Sequence, residues 1–234
     1  MTMPENPNLR ILALDTSTER ESIALLEGEA VRAEIRLRSV KTHSEQLLRS
    51  IDFLMQRVGW TLADLRLIAV GNGPGSFTGI RIGVATALGM AQSLGVPFAE
   101  VSGLDVLAQQ AADCGGRIGV ALDAHRSQAF YAEYASGGRT MRPVGKPVLL
   151  DISALAHRVR DRHLFLIGDP EVCRAINPDA APGSMPRNLP ADLYLAAGTG
   201  RLASKRARSW RSGNSLMAEP VYIRPPDALK KKAR

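Results

Sequence analysis

Residues 71–83, Gly-Asn-Gly-Pro-Gly-Ser-Phe-Thr-Gly-Ile-Arg-Ile-Gly, are the stretch with the strongest chemical signature. A glycine-rich turn that opens a helix can cradle a phosphate on its free backbone N–H groups. The details match neither common nucleotide fingerprint. No Lys-Ser or Lys-Thr pair follows, as a P-loop needs, and Thr78 stands where a dinucleotide turn needs its third glycine. The spacing favours close packing instead. Gly79, Gly83, Ala87 and Ala91 recur at every fourth position, and glycine inside a helix costs about 1 kcal/mol relative to alanine. This small-residue ridge is expected to receive another backbone, that of an opposing partner helix.

Elsewhere reactive groups are sparse. The histidines are His43, His125, His157 and His163, and no two stand four residues apart, so a helical metal pair is not expected. Cys114 and Cys173 lack metal-type spacing and read as core or loop thiols. Ser76 sits outside any Gly-x-Ser-x-Gly elbow and has no local base. Asp15 and Asp123 are more suggestive, since each ends an apolar strand and precedes a short polar turn.

The elements that position these groups follow from periodicity. Residues 10–15, 22–26 and 30–37 read as a three-stranded meander, with Glu27-Gly28-Glu29 as its second turn. Thr42 and Glu45 have capping-box spacing, and Leu47, Leu48, Ile51, Leu54, Met55 and Val58 make the apolar face of the helix that follows. Thr61 caps a short helical turn before a strand at 67–70, and the glycine-rich turn leads into a helix over 77–94, stopped by Gly95 and Pro97. A strand at 96–101 and a helix at 102–112 complete a first half. The pattern then restarts, with a strand ending at Asp123 and another over 128–134, so Asp15 and Asp123 are expected in equivalent places of two similar halves. An extended segment over 140–150, a helix over 152–159, a strand over 164–167, a loop over 177–190 and a helix over 191–208 follow. This is an α/β chain with two sheets covered by helices. The expected divisions are a disordered leader at 1–9, a first subdomain at 10–112, a second at 113–225 and a basic tail at 226–234.

The 234 residues are 45% hydrophobic, enough for a packed core, and no apolar run approaches a membrane span. Without an export signal at its N-terminus the chain is expected in the cytoplasm. Its net charge of +7 and pI near 9.8 suit work near a polyanion. Arg201, Lys205, Arg206, Arg208 and Arg211 fall in one acid-free segment, which reads either as a solvated helix face or as a diffuse contact with a polyanion.

Three stretches in order, Leu14-Asp15-Thr16-Ser17-Thr18, Thr42-His43-Ser44-Glu45-Gln46-Leu47-Leu48 and Gly-Pro-Gly-Ser-Phe-Thr-Gly-Ile-Arg over 73–81, resemble the TsaB family. Leu122-Asp123-Ala124 and the tail Glu219-Pro220-Val221-Tyr222-Ile223-Arg224-Pro225 extend the likeness. The resemblance implies an actin-like ATPase fold, shared with sugar kinases and Hsp70, and a non-catalytic subunit in bacterial threonylcarbamoyladenosine tRNA modification. The implied partners are a catalytic TsaD homologue and a TsaE ATPase homologue, with a homodimer when alone, tRNA met only through the complex and no membrane. TsaD proteins carry two helical histidines four residues apart; here His43 is followed at that distance by Leu47. The partner interface implied is His43, Leu47, Leu48, Ile51, Phe77, Thr78, Arg81, Ile82, Ala85 and Leu88. Asp15, Thr16, Ser17 and Asp123 are the positions where such folds meet nucleotide phosphates. No catalytic residue, metal or cofactor is expected. The alternative is an independent ATPase or phosphotransferase using Asp15 and Asp123 with ATP or ADP and magnesium; an M22-like peptidase has no residues to support it.

Overall fold

The run Arg-Ile-Leu-Ala-Leu-Asp forms β1 (Arg10–Asp15), buried from Ile11 to its end, as an unbroken apolar run in a central strand requires. The computed structural model describes residues 8–38, 43–138, 140–162, 164–176 and 188–206. β1 pairs antiparallel with β2 (Arg20–Glu27), and β2 with β3 (Ala30–Arg38), which is the expected meander. After α1 (His43–Val58), β4 (Leu67–Gly71) lies parallel to β1; after α2 (Phe77–Leu94), β5 (Phe98–Val101) lies parallel to β4. The sheet order is β3-β2-β1-β4-β5. Leu12, Leu14, Ile68 and Val70 meet Leu47, Ile51, Leu54, Ile80 and Val84 from the two helices in one apolar core.

The same plan recurs after α3 (Gly103–Gln110). β6 (Arg117–Asp123) pairs antiparallel with β7 (Gln128–Ser136), whose other edge receives two short strands, β8 (Met141–Pro143) and β9 (Val148–Asp151). α4 (Ile152–Asp161), β10 (Phe165–Gly168), α5 (Pro170–Ile176) and β11 (Asn188–Pro190) follow, with β10 parallel to β6 and β11 parallel to β10. β6 and β7 thus take the places of β1 and β2, and β10 and β11 those of β4 and β5. Tyr131, Leu155, Val159, Leu166 and Val172 make this unit's core. The sequence reading missed α5 and placed β11 inside a loop.

α6 (Ala196–Lys205) packs on β1, β2 and β4, on the face that α1 and α2 leave open. Its inner surface is Ala196, Ala197, Thr199, Gly200, Leu202 and Ala203, all buried. A side chain on Gly200 would run into Leu26 and Ala13, so small residues are what let this helix approach the sheet. The chain accordingly divides into one unit of the described residues within 8–103 and 194–206, and a second over 104–193. That differs from the expected division at 112 and 113 in two ways: α3 falls with the second unit, and the last helix returns to the first, whose sheet it covers. The helix also starts later than expected: the Ala191 N–H donates to the Gly168 carbonyl at 2.9 Å, which carries extended backbone past β11. Residues 1–7 of the leader, Thr42 of the capping box, residues 177–187 of the loop segment and the tail lie outside the described residues.

The glycine ridge of α2 faces inward, which overturns the expectation of a partner helix on it. Gly79, Gly83, Ala87 and Ala91 are all buried. A side chain on Gly79 would strike the carbonyl of Thr16, and one on Gly83 the Thr16 hydroxyl. That hydroxyl donates to the Gly79 carbonyl at 2.7 Å. The backbone received by the ridge is therefore the chain's own turn after β1. Gly89, on the opposite face, is exposed, with open space where a methyl group would go. Two substitutions in one helix should then act in opposite directions. Gly89→Ala is expected to stabilise by about 0.5–1 kcal/mol, and Gly83→Ala to cost about 1–3 kcal/mol by displacing Thr16. Urea denaturation of both variants checks this, and two equal, favourable changes would show that the turn yields freely.

Candidate functional site

The turn after β1 and the glycine-rich loop after β4 form one closed assembly. Asp15, Thr16 and Ser17 are fully buried. The Asp15 Oδ1 accepts from the Ser17 N–H at 3.1 Å and from the Ser17 hydroxyl at 2.9 Å. The Ser17 carbonyl accepts from the Ser76 N–H at 2.7 Å, and Ser76 caps α2 by accepting from the Gly79 N–H at 3.2 Å. On the loop's other side the Asn72 N–H donates to the Val101 carbonyl at 3.0 Å and the Gly73 carbonyl accepts from Gly103 at 2.8 Å. Of the backbone N–H groups around this loop, those of Asn72, Ser76 and Gly79 are thus spent on the chain itself.

Asp15 Oδ2 lies where a side chain on Gly71 would be, and a side chain on Gly75 would strike the Ser17 carbonyl. Gly71 and Gly75 are therefore glycines so that the loop can lie down on the turn. Asp15 Oδ2 has no hydrogen-bond partner among the described residues. It lies against the Gly71 backbone, out of solvent. Burial pushes the Asp15 carboxyl up from 3.8 to about 6, against the two Ser17 hydrogen bonds, which lower it.

The equivalent turn of the second unit is open. Asp123 keeps about a third of its side chain exposed; its Oδ1 accepts from the His125 N–H at 2.8 Å and its Oδ2 lies 3.0 Å from His125 Nδ1. His125, Arg126 and Ser127 all have φ near +57°, a left-handed run that side chains make costly. Asp15 and Asp123 do take equivalent strand-end positions, but their surroundings differ in kind. Among the described residues no group of three or more His, Cys, Asp or Glu could hold a metal ion. Cys114 is exposed; Cys173 is buried, and burial followed by the Asp169 charge pushes its thiol up to about 11. No helix among the described residues is long and apolar enough to cross a membrane.

The interface residues read from the sequence separate by burial. Leu47 and Ile51 lie in the core and present no surface, which corrects their placement. The helical period puts them under α1, whereas Leu48, one step round, is 56% exposed. Thr78, Arg81 and Ala85 are exposed on α2, and Phe77, Ile82 and Leu88 are half-buried. Arg81 stacks on the Phe77 ring, 3.8 Å from its centroid. Phe53, 49% exposed beneath Arg57, was missed; its place off the core face of α1 was the available signal. The His43 side chain lies outside the described residues. Of the basic segment, Arg201 donates to the Glu29 carbonyl at 3.2 Å and Lys205 pairs with Glu29 at 3.3 Å, while Arg208 and Arg211 are not described.

Two sheets of one repeated plan, each covered by helices, define an actin-like α/β protein. Residues 35–162 match the family model described as "TsaD: tRNA N6-adenosine threonylcarbamoyltransferase". The chain is 38% identical over 128 residues to the tRNA threonylcarbamoyladenosine biosynthesis protein TsaB of Escherichia coli (strain K12), covering 54% of this chain and 55% of that protein. The chain thus spans about half the length of the curated TsaB relatives it matches. It is 30% identical over 226 residues to an uncharacterized protein of Mycobacterium tuberculosis (strain ATCC 25618 / H37Rv), covering 93% of each. A crystal structure of an uncharacterized protein with similarity to peptidase YeaZ, from Pseudomonas aeruginosa, superposes with a TM-score of 0.76 at 28% identity, covering 92% of this chain and 99% of that one. The chain belongs to the TsaB/YeaZ family.

The raised Asp15 carboxyl has a definite sign. The folded chain holds this proton to higher pH than the unfolded chain, so folding gains relative stability below about pH 4 and loses it as pH rises through about 6. The difference amounts to about 3 kcal/mol once the group is fully ionised. Asp15→Asn is therefore expected to raise the urea midpoint above about pH 6 and to leave it nearly unchanged below about pH 4. A midpoint difference that does not vary with pH would place the titration elsewhere.

Proposed function

We propose that this chain is a non-catalytic subunit in threonylcarbamoyladenosine tRNA modification, and that the outer surface of α1 and α2 docks a TsaD homologue. The observation that carries this reading is the contrast between the two sides of α2. Its inner side packs on the turn that buries Asp15, while its outer side keeps Thr78, Arg81 and Ala85 in solvent, as α1 does Leu48. The names of the TsaB relatives support the pathway, and the TsaD-type family model suits a partner of similar fold, since a surface that receives a related fold can also receive a copy of itself. A homodimer of the isolated chain and recruitment of a TsaE ATPase homologue by the assembled complex belong to the same reading.

The docking is driven by apolar burial at roughly 25 cal/mol per Å², to which the exposed Leu48 and the half-buried Ile82 and Leu88 contribute. Binding then favours the partner conformation that fits this surface, and a subunit can regulate catalysis in that way without touching substrate. The chain requires neither metal nor nucleotide of its own in this role, and it acts in the cytoplasm, where its tRNA pathway operates.

The double variant Leu48→Glu/Ala85→Glu puts charge on the proposed surface without entering the core. It is expected to fold with an unchanged circular dichroism spectrum, and to lose at least tenfold in affinity for the TsaD homologue, or about 1.4 kcal/mol. Threonylcarbamoyl transfer by the reconstituted complex should fall with it. Unchanged affinity would sink the docking surface; ATP turnover by the isolated chain that disappears in Asp15→Asn would favour the independent ATPase.

A further inference from the structure

Glu133, in the middle of β7, is a buried carboxylate that holds three arginines. Its Oε1 accepts from Arg158 Nε at 3.1 Å and from Arg162 Nη1 at 2.9 Å; its Oε2 accepts from Arg162 Nη1 at 2.9 Å and from Arg117 Nη2 at 3.4 Å. The Glu133 side chain is only 4% exposed, whereas those of Arg117, Arg158 and Arg162 remain 53%, 36% and 49% exposed. A guanidinium has more donors than one shared carboxylate can accept, so each arginine still offers N–H groups to solvent.

A fourth arginine joins them through sheet register. Arg117 pairs with Ala135, and Ala135 with Arg142, so the three residues stand in a row across β6, β7 and β8 and share one face. Glu133 lies two residues from Ala135 on β7 and therefore faces the same way. Arg142 is exposed. One end of the second unit's sheet thus gathers positive charge well in excess of the carboxylate that organises it.

We infer that Arg117, Arg142, Arg158 and Arg162 form a contact surface for the phosphate backbone of an RNA. The inference rests on the proposed role in tRNA modification for the identity of the polyanion; the surface itself rests on the geometry. Guanidiniums match phosphate oxygens with paired donors. Glu133 holds three of them in place, which reduces the side-chain ordering that binding would otherwise cost. Arg117 and Arg142 stand two strand spacings apart, roughly 10 Å. That span exceeds one phosphate and suits a strand with a charge every few ångströms. The basic segment after residue 200 is a weaker candidate, because Arg201 and Lys205 are already turned towards Glu29.

The test measures binding of the full chain to fluorescently labelled bulk tRNA over a series of potassium chloride concentrations. Arg117→Gln/Arg142→Gln removes the longest of the Glu133 contacts and an arginine that Glu133 does not hold, so Arg158 and Arg162 still satisfy the carboxylate. The expected result is an affinity at least tenfold lower, and a slope of log affinity against log salt reduced by about two. A control, Arg32→Gln/Arg38→Gln on β3, removes the same charge from the other unit and should leave the slope unchanged. If the first variant does not fold, Arg142→Gln alone is expected to reduce the slope by about one. An unchanged slope, or equal losses in variant and control, overturns the surface. Binding of polyglutamate but not tRNA overturns RNA as its partner. Co-purification with the TsaD homologue, measured in parallel, separates the two proposals: its loss with patch-dependent tRNA binding intact counts against the docking role alone.

Discussion

The first unit depends on the contact between the turn after β1 and the glycine ridge of α2. Thr16 sits at its centre, its hydroxyl donating to the Gly79 carbonyl at 2.7 Å and filling the space that a side chain on Gly83 would need. Bringing a turn and a helix this close removes both from water, so the backbone groups between them must find partners within the chain, although Asp15 Oδ2 is left without one. Ser17 and Ser76 do so for the turn and the helix end. The α2 axis is therefore set by the backbone of β1, and the outer face of α2 inherits its position from the same contact.

The two units show how one topology acquires different chemistry. Asp15 and Asp123 end corresponding strands, but glycines at 71 and 75 let a loop close over the first, and the turn after the second stays exposed. A closed carboxylate gains stability from being neutral and loses value as a ligand-binding group. The open turn of the second unit keeps three left-handed residues instead, a local strain that the surrounding strands hold in place. Fold therefore implies neither activity nor its loss; local packing around the strand end decides.

Much of this was legible in the sequence. The strands ending at Asp15 and Asp123, the repeated plan and the limits of α2 follow from apolar runs and from Ser76 and Gly95 at the helix ends. The direction of the glycine ridge did not, because missing side chains tell that something comes close but not what. Its neighbour is Thr16, 63 residues away. Leu47 and Leu48 differ only by one step round α1, and period alone leaves the edge of an apolar stripe undecided. α6 was hard to place because alanine and glycine mark close approach without indicating which sheet they approach. The arginines around Glu133 come from β6, α4 and the residue after it, and only the folded register brings them together.

The return of α6 to the first sheet has a consequence for biosynthesis. Ile11, Ala13, Ala24 and Leu26 sit on strands made before the second unit, but the helix that covers their side of the sheet is made only after the whole of it. Until then a nascent chain displays half of a finished apolar sheet, the kind of surface that chaperones hold and that aggregates form on. Of the two units, the one whose strands are made first is thus completed last, when the ribosome delivers its cover.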